Sequence, residues 1–148
     1  MAHIDGEILI KRSVQDVFDF VADERNEPSY NPRMLRVEKI TPGPISVGTK
    51  FIAETKTMAR TAEMTIEWTA YERPKKLASI THAPSMEIDG ALSFDAVPDG
   101  TRMRWTWELR PSGLLKLMAP IIVRMGQGQE ETIWRNLKHL LEEQPALG

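Results

Sequence analysis

The stretch that decides the reading is Pro120 to Glu143, PIIVRMGQGQEETIWRNLKHLLEE. Ile121, Ile122, Met125, Ile133, Leu137, Leu140 and Leu141 recur every three or four positions apart from one gap. Arg124, Gln127, Glu130, Glu131, Arg135, Lys138 and Glu142 fall between and opposite them, so the period is that of a helix with one apolar and one wet face. Roughly 23 residues at about 1.5 Å each make a rod on the order of 35 Å. Upstream of it, after one short helix, the chain reads as strands and turns. A long amphipathic helix that follows a run of strands must lay its apolar face on their sheet. The expectation is a sheet that curls around this helix and leaves a cavity between the two.

The remaining composition limits what such a container can be. The chain has 148 residues, 41% of them apolar and 27% charged, which suits one globular domain with a real core. The net charge of −2 is spread without a basic run, which argues against nucleic acid and anionic membrane surfaces as partners. Cysteine is absent, which removes disulfides and thiolate chemistry. Asp5 and Glu7 interrupt the first ten residues, unlike the apolar part of a signal peptide, and no apolar run reaches the roughly 20 residues of a membrane span. The expectation is a soluble, cytoplasmic domain without stable membrane insertion, either a monomer or a homodimer.

In chain order, His3 to Lys11 reads as a first strand. Ser13 stands three residues before Asp16 and opens a short helix from Val14 to Ala22. Asp23 to Pro32 suits a second helical turn or a loop. Strands follow over Arg33–Thr41, Val47–Thr57 with Gly48 at a bulge, and Thr61–Tyr71, the last two joined around Met58 to Arg60. Leu77–His82 and the alternating segment from Met86 to Phe94 come next. After the Pro98-Asp99-Gly100 turn, Thr101–Arg110 alternates Met103, Trp105, Trp107 and Leu109 with arginines, Thr106 and Glu108. Short strands joined by tight turns predict an antiparallel sheet of seven strands in an α+β domain spanning residues 1–148, with no repeat or linker.

That element order carries further markers at its joints. Val17-Phe18-Asp19-Phe20-Val21-Ala22-Asp23 leads to Tyr30-Asn31-Pro32, and Gly48-Thr49-Lys50-Phe51 opens the third strand. Tyr71-Glu72-Arg73-Pro74-Lys75-Lys76-Leu77 forms a turn, Asp99-Gly100-Thr101-Arg102 runs toward Trp105, and Leu137-Lys138 with Leu140-Leu141-Glu142 closes the last helix. In these stretches the chain resembles the superfamily of START lipid-transfer domains, polyketide cyclases and pollen-allergen-type proteins (SRPBCC), in its polyketide cyclase/dehydrase-like branch. Tyr30 stands where that family usually has tryptophan. The resemblance implies the helix-grip fold and a deep pocket between sheet and helix for an apolar small molecule or lipid. It implies no particular reaction, because that fold hosts carriers, receptors and enzymes alike.

The candidate lining is Phe20, Tyr30, Phe51, Trp68, Phe94, Trp105, Trp107, Met118, Ile122, Met125 and Gln129. Large rings on inward strand faces fill core or line a cavity, and an indole adds one N–H donor. Gly126-Gln127-Gly128-Gln129 interrupts the apolar stripe, which either loosens the helix or makes room for a ligand that Gln129 reaches. Methionines such as Met64, Met86, Met118 and Met125 offer adaptable walls. Acid–base candidates are weaker. His82 reads as a rim residue, Glu67, Asp89 and Asp95 face outward by parity, and Arg36, Arg60 and Arg73 sit at turns or edges. Outward carboxylates are expected to pair across strands with Arg102 and Arg104. His3, His82 and His139 lack metal-ligand spacing, and neither a phosphate loop nor a dinucleotide motif is present, so no metal or cofactor is expected.

The leading expectation is a module that binds or carries an apolar, lipid-like or polycyclic molecule. Two rivals stand beside it. One is a polyketide aromatase/cyclase, which needs His82, a carboxylate and Tyr30 gathered in the cavity. The other is a stress-response or protein-interaction module without ligand, which predicts a filled core and an exposed apolar face.

Overall fold

A computed structural model describes residues 2–57 and 60–143. Its strands are β1 (Ala2–Ile10), β2 (Met34–Lys39), β3 (Lys50–Lys56), β4 (Thr61–Glu72), β5 (Lys76–Ala83), β6 (Met86–Val97) and β7 (Gly100–Pro111). They form one seven-stranded sheet in the order β1-β7-β6-β5-β4-β3-β2, antiparallel throughout. Strands β2 to β7 meander, and the first strand returns to cover the edge of the last. Helix α1 (Val14–Ala22) and a 3-10 turn (Glu24–Ser29) carry the chain from β1 to β2, at opposite edges of the sheet. A second 3-10 turn (Gly113–Met118) leads into the closing helix α2 (Ala119–Glu143).

Local chemistry explains the joints. The Ser13 hydroxyl accepts from the Asp16 N–H at 3.2 Å and caps α1, as its spacing predicts. Gly48 does not form a bulge. It takes φ +90° in the turn before β3, and the register shifts fall instead at Met34/Arg36 and Trp68/Ala70. Helix α2 starts at Ala119, one residue ahead of the periodic stretch, and the residues before it wind as a 3-10 turn. Of the expected connection Met58–Arg60, Met58 and Ala59 lie outside the described residues.

Alternation along the strands sets one face of the sheet against α1 and α2. Phe18 is fully buried, with the rings of Tyr71 and Phe94 each 5.2 Å away in edge-on contact. The Trp68 indole donates to the Ala22 carbonyl at 3.0 Å, which ties β4 to the end of α1. Two strand glycines make room for indoles. A Cβ on Gly6 would stand 2.3 Å from Trp105, its cross-strand partner, and one on Gly90 would stand 1.9 Å from Trp107, its own partner.

Helix α2 is held unevenly along its length. Its second half buries Ile133, Trp134, Leu137 and Leu141, and the Arg12 guanidinium donates to the Leu141 carbonyl at 2.6 Å. Its first half is lighter. Ile121 and Met125 are exposed, and attachment there runs through Gln127, which donates to the Asp5 carbonyl at 2.7 Å. The outer face of the sheet carries ion pairs. Arg110 bridges Glu87 and Asp89, while Arg102 and Arg104 both reach Glu7 on β1 rather than the β6 carboxylates.

Candidate ligand site

The site lies where α2 passes the 3-10 turn at Glu24–Ser29. In a 3-10 turn residues three apart eclipse, so Glu24, Glu27 and Tyr30 stack on one side. On α2 the positions 130, 134, 137 and 141 fall on one helical face, and the last three of them are buried. Glu130 therefore turns toward the sheet, against the expectation that placed it on the wet face. The Asn136 amide donates to the Tyr30 carbonyl at 3.1 Å and fixes the two elements to each other.

This juxtaposition gathers Glu24, Glu27 and Glu130, none of which makes an ion pair among the described residues, whereas the adjacent Asp23 is paired with Arg25 at 2.8 Å. Glu24 is 7% exposed, and its Oε2 is buried without a hydrogen-bond partner. Burial first, then the neighbouring Glu27, Asp23 and Glu130 carboxyls, push its pKa well above the usual range. Burial, with the Glu27 charge, raises Glu130 to about 8. The Trp107 indole offsets part of that shift from the Glu130 side without completing a hydrogen bond of ordinary geometry. Burial and the same carboxylates also raise Tyr30 well above its ordinary value. At neutral pH Glu130, raised to about 8, is thus held mainly as a neutral acid with a proton to donate, and Glu24 is shifted in the same direction.

Indole donors surround the same region. The rings of Phe20 and Tyr30 stand 6.1 Å apart, Tyr30 and Trp134 5.8 Å, and Trp134 and Trp105 5.9 Å, a ladder running under α2. The indole nitrogens of Trp105, Trp107 and Trp134 are buried and complete no hydrogen bond of ordinary geometry among the described residues. A buried N–H left unpaired costs about 1–3 kcal/mol, so these unmet donors are a conspicuous expense for a small domain.

Two open grooves flank α2. One of about 420 Å³ is lined by Pro32, Arg33, Met125, Gly128, Gln129, Thr132 and Ile133. The other, of about 530 Å³, lies under the start of the helix among Ala2, His3, Leu109, Arg110, Pro111, Lys116, Ala119, Pro120 and Val123. The first is within the range of small-molecule sites and opens one residue along the helix from Glu130.

The expected lining residues are scattered by this arrangement. Met125 and Gln129 line the first groove, and Phe20, Tyr30 and Trp105 belong to the ring ladder, with Trp107 beside Glu130. Phe51, Trp68 and Phe94 are packed in the same buried core as Tyr30 and Trp105, with Phe20 and Trp107 against it. Met118 is exposed and Ile122 half-buried near the start of α2. The glycine pair divides its labour: a Cβ on Gly126 would stand 2.5 Å from Ile4, so this glycine permits helix–strand contact, whereas Gly128 faces open groove. His82 is exposed and paired with Glu87 at 3.4 Å, on the outside of the sheet. Arg36 pairs with Glu54 and Arg73 with Asp19, and Arg60 is exposed. Residue-by-residue reading of the sequence missed Glu24, Glu27, Glu130 and Trp134. The eclipsed triplet 24, 27, 30 and the helical series 130, 134, 137, 141 were the signals available. Among the described residues no group of three or more His, Asp or Glu side chains could hold a metal ion, and no helix is long and apolar enough to cross a membrane.

Comparison with known proteins agrees with the fold. A family model described as polyketide cyclase / dehydrase and lipid transport matches residues 1–142. No curated protein matches the sequence. Among solved structures, a START superfamily protein from Mycobacterium smegmatis superposes with a TM-score of 0.81 at 10% identity, over 95% of this chain and 97% of that one. The di-domain ARO/CYC BexL from the BE-7585A biosynthetic pathway gives 0.76 at 18% identity, over 96% of this chain and 47% of that one. Ara h 8.0201 gives 0.65 at 13% identity, over 88% and 93%. At such identities these likenesses speak for the fold: an open antiparallel sheet gripping a long C-terminal helix.

Proposed function

The chain belongs to the polyketide cyclase / dehydrase and lipid transport family, whose fold is that of a START-like ligand-binding domain, and from that premise we propose that it carries an apolar small molecule bearing oxygen acceptors. Polycyclic polyketide-like and lipid-like compounds with carbonyl or hydroxyl oxygens are the chemical class. The observation that carries the reading is the surplus of buried donors: three indole N–H groups that complete no hydrogen bond of ordinary geometry among the described residues, beside a Glu130 carboxyl raised to about 8 and a Glu24 carboxyl pushed well above its usual range. Carbonyl oxygens on an otherwise apolar guest supply the missing acceptors, and the rings of Tyr30, Trp105 and Trp134 supply flat apolar area. The guest enters along the groove beside Met125 and Gln129 and parts the ring ladder beneath α2.

Native mass spectrometry of freshly purified protein tests this, followed by melting in the presence of palmitate, a sterol and a hydroxyanthraquinone. A ligand that binds only the folded state raises the melting temperature in proportion to its saturation. The proposal expects a co-purified mass or a concentration-dependent rise with at least one oxygen-bearing probe. No bound mass and no shift with any probe would refute it.

The carboxyl cluster favours a second reading, a cyclase. A neutral Glu130 could protonate the carbonyl oxygen under attack while an ionised carboxyl removes the proton α to a second carbonyl; the carbon–carbon bond forms between those two carbons. This reading retains Tyr30 and the carboxylate of the expected constellation and dispenses with His82. Turnover of a poly-β-ketone that disappears in Glu130→Gln, with binding intact, would favour it.

A further inference from the structure

The segment that leads into α2 has a composition unlike the rest of the chain. From Leu109 to Gln129 it contains Arg110, Lys116 and Arg124 and not one acidic residue, in a protein whose net charge is −2. Arg110 is held by Glu87 and Asp89, whereas Lys116 and Arg124 make no ion pair among the described residues. Within the same segment Leu114 and Leu117 are each 82% exposed, with Met118 at 45%, Ile121 at 55% and Met125 at 46%. Their spacing of three, one, three and four places them along one stripe of the two consecutive helical segments. Opposite that stripe, Leu115, Ile122, Val123 and Gly126 are at least half-buried toward the protein. A contiguous apolar stripe left in water marks an interaction surface.

We propose that this stripe is a docking surface for an anionic lipid bilayer, into whose interface Leu114, Leu117 and Ile121 sink while Lys116 and Arg124 meet the headgroups. Charge complementarity selects that occupant. A second copy presenting the same stripe would bring unpaired cations against unpaired cations with no acid to answer them. A protein partner is usually gripped through Trp, Tyr and Arg anchors, but this stripe is leucine, isoleucine and methionine between flexible cations, the pattern of interfacial helices. The even spread of charge along the whole chain hides the feature, because the acids lie elsewhere. Met125 belongs both to the stripe and to the 420 Å³ groove, so a lipid-like guest leaving the bilayer meets the groove directly. That last step rests on the carrier reading, whereas the docking surface does not.

Co-sedimentation of the full chain with vesicles tests the proposal. One set contains phosphatidylcholine alone, and the other one part phosphatidylglycerol to two parts phosphatidylcholine. The protein is expected to partition onto the anionic set about tenfold more strongly than onto the neutral set, and to leave it as salt rises. The double variant Leu114→Ser/Leu117→Ser should lose most of this binding with an unchanged melting temperature, because neither side chain is packed. Lys116→Glu/Arg124→Glu should lose the preference for anionic lipid. Absence of vesicle binding by the native chain, or binding that the leucine variant leaves intact, would overturn the proposal. So would a dimer in sedimentation equilibrium that the leucine variant disperses, since the stripe would then belong to a second copy. Each result leaves the ligand assays untouched, so failure here is distinct from failure of the carrier reading.

Discussion

Replacing Glu130 by glutamine should change how stability depends on pH, and by an amount that can be worked out. The folded protein holds the Glu130 proton up to about pH 8, against 4.5 for the free side chain. Between those values the native state binds a proton that the unfolded chain has released, so stability declines as pH rises. The contribution is whole below pH 4.5 and gone above 8. Its slope is about 1.4 kcal/mol per pH unit for one proton, and the full span is at most roughly 5 kcal/mol. From pH 5.5 to 7.5 that is about 3 kcal/mol, or on the order of 10 °C in melting temperature for a domain of this size. Asp23, Asp89 and Glu142, whose pKa values are lowered, lose their contributions only as pH falls toward 4 and below, so they leave this window alone. Glu130→Gln keeps the shape and the neutral charge. It should match the native protein near pH 5, exceed it by several kcal/mol at pH 8.5, and retain only the slopes from Glu24 and from His3, whose pKa is also raised, by its hydrogen bonds to Glu108 and Asp5. Urea denaturation at a series of pH values is the assay. Parallel curves for native protein and variant would refute the claim that Glu130 is a buried, proton-holding acid.

The remaining expectations are simpler. Gly90→Ala drives a methyl group into Trp107 and should cost about 1–3 kcal/mol in denaturant melts, whereas Gly128→Ala meets nothing and should gain up to about 1 kcal/mol from helix propensity. Ser13→Ala removes the cap on α1 and should lower stability by about 1 kcal/mol in the same assay. Trp134→Phe keeps the ring stack and discards an N–H that has no partner, so stability should move by less than about 1 kcal/mol. Calorimetric affinity for an oxygen-bearing ligand should nonetheless fall several-fold, because the lost donor is one that the ligand would use.

Period and punctuation made the scaffold legible. The alternation in Thr101–Arg110, the Ser13 cap and the helical stripe from Ile133 to Leu141 each depend on local chemistry, and each falls in the structure where its pattern places it. The candidate site was harder to read because its members come from segments more than a hundred residues apart. Glu24 and Glu130 look like ordinary solvated acids until the 3-10 turn and α2 are set face to face. Their burial follows from the fold, and the sequence around each of them resembles a wet surface. The glycines offer a similar lesson. Gly6 and Gly90 have no visible purpose in their own strands, since the indoles that need the space sit on β7. Within Gly126-Gln127-Gly128-Gln129, only the neighbouring β1 distinguishes the contact glycine from the groove glycine.

The indole N–H resonances of Trp68, Trp105, Trp107 and Trp134 test the central claim most directly, followed by two-dimensional nuclear magnetic resonance while a hydroxyanthraquinone or a fatty acid is added. A ligand seated on the unmet donors must shift Trp105, Trp107 and Trp134 downfield as they gain acceptors, and leave Trp68, already bonded to the Ala22 carbonyl, in place. Binding that moves Trp68 alone, or that leaves all four indoles where they were, would contradict the account.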